Sequence, residues 1–139
     1  MTADDALDHV ERWASVETPW GRLDAALAGA LLRPGDPAYA QAGRWPVATG
    51  DERLPAAIAV CTVPEDVGRV LAFARRNGLA VAVRGGGHCF AGHSRTDGIL
   101  IDTSALRQVR VTDGTATVGA GVLLGELYDA LHAAGRTFP

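Results

Sequence analysis

The spacing of apolar residues changes along the chain and predicts helices in some segments and strands in others. Over residues 3–32 the apolar positions recur every three to four residues, as on one face of a helix. Pro19 and Gly21 interrupt this pattern, so we predict two helices, the second from about Arg22 to Leu32. The turn-rich segment 33–37 then ends the helical part, and the residues that follow show little periodicity.

The middle of the chain predicts a β-α-β unit. Ala56–Cys61 is a short apolar run typical of a buried strand. A helix is predicted next, because Pro64 suits a first helical turn and Asn77-Gly78 a left-handed end. Its apolar stripe consists of Val67, Val70, Leu71 and Ala74. Leu79–Val83 predicts the second strand, parallel to the first and joined to it by a right-handed crossover.

The rest of the chain predicts the opening of an antiparallel subdomain. Ile99–Asp102 is a further buried strand, and Val109–Val118 is a hairpin that turns at Asp113-Gly114. Asp-Gly suits a type I′ turn, whose register sets the first residue of the hairpin opposite the last. A helical stripe begins at Leu124 and stops at Gly135. The predicted fold class is therefore α+β, a parallel β-α-β unit followed by the start of an antiparallel subdomain.

Composition and charge exclude several classes of partner. The chain has 139 residues, 47% of them hydrophobic, which suits one soluble domain. Its net charge of −3 argues against nucleic acid or an anionic membrane as a partner. No apolar run is long enough to cross a bilayer, and Asp4, Asp5 and Asp8 oppose a signal peptide. Two cysteines without paired spacing suit a reducing compartment, so we expect a cytoplasmic location.

The most distinctive segment links the end of the second predicted strand to three glycines and a histidine. It contains Val83, Arg84, Gly85, Gly86, Gly87 and His88, and a turn with His93 and Ser94 follows. Glycines allow positive φ angles and close approach of a ligand, and their N–H groups form nests for phosphate. Arg84 adds a fixed positive charge and His88 a nucleophilic ring nitrogen. From the residues alone, a pyrophosphate cradle and a plain glycine-rich turn both remain open.

Other known chemistries fit this segment poorly. The glycines are not followed by Lys-Ser or Lys-Thr, as a P-loop requires. Phe90 stands where the dinucleotide fingerprint needs glycine, and no helical pattern follows. His88 and His93 have only Cys89 as a further ligand nearby, so we predict no metal site. There is no Gly-x-Ser-x-Gly elbow of a serine hydrolase either.

The segment resembles a known flavin-attachment loop. Arg84–His88 followed by Gly92-His93-Ser94 is similar to the loop of FAD-linked oxidases of the vanillyl-alcohol oxidase and berberine-bridge-enzyme type. Gly98–Ser104 and Val118–Leu127 resemble the strand after that loop and the next strand and helix. The resemblance implies a partial PCMH-type FAD-binding domain at residues 51–139. Residues 1–50 would be a helical N-terminal segment and linker.

The resemblance implies FAD as the cofactor. The N–H groups of the glycine loop would hold its pyrophosphate, and His88 would carry the flavin covalently through the 8α-methyl group. The implied cofactor-binding residues are Val83, Arg84, Gly85, Gly86, Gly87, His88, His93 and Ser94. Whether Arg84 steadies the phosphates or caps the strand end stays open at this point. The side chain of Cys89 would point away from that of His88, which favours a small buried thiol over a second flavin link.

The implied function is that of a flavin-dependent oxidoreductase. Hydride would pass from an alcohol, sugar or amine-like carbon of a small-molecule substrate to the flavin, and dioxygen would take the electrons. In the resembling family a second glycine-rich segment, a substrate domain and the catalytic base follow the position of Pro139. We therefore expect an incomplete and inactive chain, with no identified catalytic residue, that forms oligomers or needs a complementing C-terminal part. The alternatives are an inactive flavin- or nucleotide-binding module and an interaction fragment without a ligand.

Overall fold

The computed structural model describes residues 19–44 and 54–138, which form helices, one sheet and one hairpin. The predicted helix over residues 3–18 lies outside these ranges. The helices are α1 (Pro19–Ala26), α2 (Pro37–Ala42), α3 (Pro64–Asn77) and α4 (Leu124–Ala133). The strands are β1 (Ala30–Leu32), β2 (Ala57–Val60), β3 (Val81–Arg84), β4 (Ile99–Asp102), β5 (Val109–Thr112) and β6 (Thr115–Val118).

The larger sheet has four strands in the order β1-β2-β4-β3. Both β2 and β3 are parallel to β4, whereas β1 runs antiparallel to β2. The α+β class and the parallel strands are confirmed, although β4 lies between the two strands of the β-α-β unit. In this register Arg84 at the end of β3 faces Asp102 at the end of β4. The chain segments that follow β3 and β4 therefore leave the sheet side by side, at the edge where open α/β sheets bind ligands.

Two apolar clusters cover the two faces of this sheet. The larger cluster joins α1 and α3 to one face, with Trp20 and Phe73 at a ring-centroid distance of 4.9 Å. The smaller cluster, on the other face, consists of Tyr39, Ile58, Ala82 and Leu100. Burial on both faces agrees with the unbroken apolar runs of the parallel strands in the sequence.

The helix predicted from Arg22 to Leu32 is wrong in its second half. Helix α1 begins at Pro19 and ends at Ala26, and the residues that follow form β1. Gly29 lies so close to β2 that a Cβ atom there would be 1.8 Å from the carbonyl oxygen of Val60. Residues 30–32 thus pair with β2, which is remote in the sequence, because intrinsic helix propensity is weak and tertiary contacts outweigh it.

A fully buried carboxylate holds the segment before β1 against the start of α3. Asp66 accepts hydrogen bonds from the N–H groups of Ala28 (2.9 Å), Gly29 (3.1 Å) and Thr62 (3.2 Å). It also pairs with the Arg69 guanidinium at 3.0 Å. Burial opposes the charge, but the backbone N–H groups outweigh it and lower the pKa of Asp66. This network joins segments that are far apart in the sequence.

The helices differ from the predicted pattern at two points. In α3, Val70 and Ala74 are buried as predicted, but Leu71 is 48% exposed and Phe73 is buried in its place. Phe73 faces Trp20 of α1, a contact that a single helical stripe does not indicate. Helix α2 was not predicted because its six residues are too few to show a period.

The hairpin and the last helix follow the prediction closely. Val109 pairs with Val118 across β5 and β6, and Asp113 and Gly114 both have positive φ angles, 47° and 78°. These angles suit a type I′ turn. Gly135, with a φ of 66°, follows α4, where the helix was predicted to stop.

Candidate functional site

The three glycines after β3 differ in their surroundings and in their backbone conformation. A Cβ atom on Gly85 would lie 2.9 Å from the carbonyl oxygen of Ala120, so a side chain there would displace backbone. On Gly86 it would meet open space, the nearest atom being a methyl group of Leu123 at 4.0 Å. Gly87 alone among the three has a positive φ, 74°. The loop is therefore packed at its first residue, open at its second and left-handed at its third.

The N–H groups of this loop have no acceptor in the described part of the chain. None of the four consecutive N–H groups from Gly85 to His88 donates a hydrogen bond to a described residue. These groups lie directly after β3, at the ligand-binding edge of the sheet. Unpaired N–H groups in a row are the donors that an anion nest supplies to a phosphate.

Arg84, the last residue of β3, forms a buried ion pair with Asp102. Its Nη2 and Nε atoms donate to one carboxylate oxygen, Oδ2, at 2.5 and 3.2 Å. The two residues are only 8% and 7% exposed. Burial raises the pKa of Asp102, but hydrogen bonds from Ser104 and Arg84 outweigh this and lower the pKa overall. Of the two roles left open by the sequence, the geometry places the Arg84 guanidinium at the strand end.

The other residues predicted for the site lie around the loop at the surface. Val83 is 52% exposed, and His88 and His93 are exposed, whereas Ser94 is half-buried. Neither imidazole hydrogen-bonds to a residue within 19–44 or 54–138. Both rings are thus accessible to a ligand. Cys89 is a half-buried free thiol, less buried than predicted.

A second glycine-containing turn, at residues 119–121, lies against the glycine loop, and its position there was not predicted. Its Ala120 carbonyl covers Gly85, and a Cβ atom on Gly121 would lie 2.2 Å from the carbonyl oxygen of Thr103. The turn is thus packed backbone against backbone on the segment that follows β4. The Gly-x-Gly spacing in the sequence signals such a close approach but not what is approached.

Within 19–44 and 54–138, no group of three or more His, Cys, Asp and Glu side chains is placed to hold a metal ion. Among the helices described, none combines the length and apolar character that a membrane span needs.

Comparison with known proteins decides the family. The model of the FAD binding domain family matches residues 55–139, which is more than half of the chain. The chain belongs to the FAD binding domain family. Its relatives are of the vanillyl-alcohol oxidase and berberine-bridge-enzyme type.

Relatives and solved structures show the extent of the similarity. The FAD-linked oxidoreductase pytB of Aspergillus terreus is 33% identical over 111 residues, which are 78% of this chain and 14% of pytB. The 6-hydroxy-D-nicotine oxidase structure from Arthrobacter nicotinovorans has a TM-score of 0.72 and 26% identity, covering 79% of this chain and 25% of that one. The berberine-bridge-enzyme-like protein 1 of Physcomitrella patens reaches 0.73 with 27% identity, covering 84% and 26%. The chain thus spans between 14% and 26% of the length of these proteins.

Proposed function

We propose that this chain binds the FAD pyrophosphate and attaches the flavin in a FAD-dependent oxidoreductase. The four consecutive N–H groups from Gly85 to His88, which have no acceptor among the described residues, carry this proposal. The last of these groups belongs to His88, whose side chain is exposed, as attachment of a flavin to this residue would require. Membership of the FAD binding domain family supports FAD over other anionic ligands.

The open space at Gly86 supports pyrophosphate binding, because a phosphate oxygen could approach the backbone where a side chain would otherwise lie. Leu123, the nearest side chain to this position, is 50% exposed. Val83 and Phe90, on either side of the loop in the sequence, are 52% and 69% exposed. Such apolar side chains suit the flat rings of a flavin dinucleotide, and in the proposal Val83, His93 and Ser94 border the cofactor.

His88 attaches the flavin in this proposal. A ring nitrogen of His88 would hold the flavin by one N–C bond to its 8α-methyl carbon, in place of an N–H and a C–H bond. The two protons and two electrons released by this exchange would pass to dioxygen. Bound FAD supplies hydride acceptance from an alcohol, sugar or amine-like carbon of a small molecule, while the protein positions and tunes the cofactor.

Acid precipitation tests the covalent bond, with the second loop histidine as a matched control. The protein at its natural length is purified as wild type, His88→Ala and His93→Ala. Acid-precipitated wild type and His93→Ala should stay yellow, while His88→Ala should release its flavin to the supernatant. Release of all flavin from wild type would refute the covalent bond and leave reversible binding intact.

Binding itself is tested by the change in melting temperature on adding FAD. A protein that is yellow and stabilised by FAD, but inactive on alcohols, sugars and amines, would be an inactive flavin-binding module. A colourless protein without an FAD-dependent shift would contradict the proposal and favour an interaction fragment. Sedimentation of the same preparations shows whether the chain forms oligomers. A complementing polypeptide is the other partner that we propose.

A further inference from the structure

A buried ion pair lies at the base of the glycine loop. Arg84 and Asp102 end two neighbouring parallel strands and face each other in the register of the sheet. The guanidinium donates two hydrogen bonds to one carboxylate oxygen, so its charge is neutralised inside the protein. Gly85, the first residue of the loop, follows Arg84 directly.

The same two residues connect the loop to the turn after β4. The carbonyl oxygen of Arg84 accepts from both the N–H (2.8 Å) and the hydroxyl (3.2 Å) of Thr103. The second carboxylate oxygen of Asp102 accepts from the N–H of Ser104 at 2.9 Å. The backbone on both sides of the ion pair is therefore fixed where the loop begins.

Gly85 is confined by these neighbours. A Cβ atom on it would be 3.7 Å from the Thr103 hydroxyl and 2.9 Å from the Ala120 carbonyl oxygen. The close approach of Ala120 leaves Gly85 little room to move toward it. A rotation of the Arg84 backbone would turn the N–H groups that follow Gly85 away from their present direction.

We propose that Arg84 and Asp102 are positioning residues of the FAD pyrophosphate site, and that the Arg84 charge does not contact the phosphates. The inference rests on the proposed function of the loop. Moving the guanidinium to a phosphate would leave the Asp102 carboxylate buried without its partner, which is strongly unfavourable. The backbone N–H groups, held in place by the ion pair, bind the anion instead.

The variant Asp102→Asn separates positioning from direct contact by the sign of its effect. A direct phosphate ligand would be freed by loss of the carboxylate, and the site would become more positive, so FAD would bind as tightly or more tightly. A positioning pair would lose its geometry, so FAD would bind more weakly despite the added positive charge. Arg84→Lys keeps the charge but not the paired donors, and it should also bind FAD more weakly.

The experiment measures FAD affinity by quenching of flavin fluorescence, at a temperature where each variant is folded. All variants are made in the protein at its natural length in a His88→Ala background, so that binding is reversible. The exposed Asp129 of α4 provides the matched control, because Asp129→Asn removes the same charge from the surface. The apolar pair Arg84→Met with Asp102→Leu covers the case in which a single change prevents folding, since such a pair leaves no buried charge unpaired.

We expect a tenfold or greater loss of affinity for Asp102→Asn, Arg84→Lys and the apolar pair, and none for Asp129→Asn. The apolar pair should melt within a few degrees of its parent. If the ion pair only stabilised the fold, this variant would also bind FAD as tightly as its parent. Equal or tighter binding by Asp102→Asn, or by the folded apolar pair, would overturn the inference alone. Absence of FAD binding by the parent would overturn the proposed function, and with it the inference.

Discussion

Strands β4 and β6 have the same length but opposite surroundings. All four residues of β4 are buried, between two parallel neighbours and with helices packed on the sheet. All four residues of β6 are exposed, and within the described chain β6 pairs only with β5. A local turn is enough to define β6, whereas β4 depends on contacts from several segments that are distant in the sequence.

This difference shows where the fold places its candidate site. The glycine loop follows β3, which pairs along its full length with the buried β4. A binding loop requires its donors in one fixed direction, and a rigid sheet supplies that better than a solvated hairpin.

Hydrogen exchange should separate the two regions most strongly. In the 139-residue chain, amides of β2, β3 and β4 should exchange only through openings that approach global unfolding, about 5–15 kcal/mol. Amides of β5 and β6 should exchange through local openings that cost close to zero, because a two-stranded ribbon is marginally stable. Mass spectrometry of labelled peptides measures both, and uniform protection in a monomer that binds FAD tightly would contradict the contrast.

Truncation of one buried and one exposed side chain tests the same contrast energetically. Ile101→Ala in β4 should lower the free energy of unfolding by about 2–5 kcal/mol, because Ile101 is fully buried. Val118→Ala in β6 should cost less than about 1 kcal/mol, since Val118 is 39% exposed. Urea denaturation followed by circular dichroism measures both values. Equal losses would mean that the hairpin is covered in solution.

Acid should weaken the sheet region through Asp66. Its folded-state pKa lies below the ordinary 3.8, so its stabilisation is complete above that value and is lost as pH falls through the folded pKa. Asp66→Asn should cost about 1–3 kcal/mol at neutral pH, because an amide cannot accept all of these N–H bonds. It should also flatten the fall of stability below about pH 5. The exposed Glu126, whose pKa is lowered by Leu123 and Arg107, provides the control, and Glu126→Gln should change this slope little.

Substitutions at neighbouring glycines should separate stability from cofactor binding. Gly86→Val should weaken FAD binding at least tenfold, or about 1.4 kcal/mol, while the melting temperature stays nearly constant. Gly85→Ala should lower the melting temperature as well, because its Cβ atom meets the Ala120 carbonyl. Titration with FAD in the His88→Ala background and thermal melts measure the two effects. Unchanged affinity of Gly86→Val would show that the loop is only a turn.

Elements with local signals were predictable from the sequence. Helix α3 was recognised from Pro64 and Gly78, and the hairpin register from Asp113-Gly114. Strand β1 was missed because its pairing with β2 is not local. The exposure of Leu71 and the burial of Phe73 depend on where α1 packs against α3. The apolar pattern of α3 alone does not indicate that position.

The residue types of the candidate site were predictable from the sequence, but the contacts that hold the glycine loop in place were not. The glycines and His88 are adjacent in the sequence, so their pattern was visible directly. The partner of Arg84 was not, because Asp102 approaches it only when β3 and β4 align. The approach of Ala120 to Gly85 also depends on packing between distant segments. The division of the chain at residue 50 and the cofactor contacts of single residues stay predictions.

The strand order of the larger sheet also has a kinetic consequence. Strands β2 and β3 leave the ribosome before β4, yet the sheet places β4 between them. Strand β2 can pair with β1 at that stage, but neither β2 nor β3 can form its native hydrogen bonds to β4 until β4 has been synthesised. The early chain therefore presents apolar strand edges that need shielding. The Arg84–Asp102 pair forms in that same late event, so the glycine loop acquires its anchor only when the central strand is inserted.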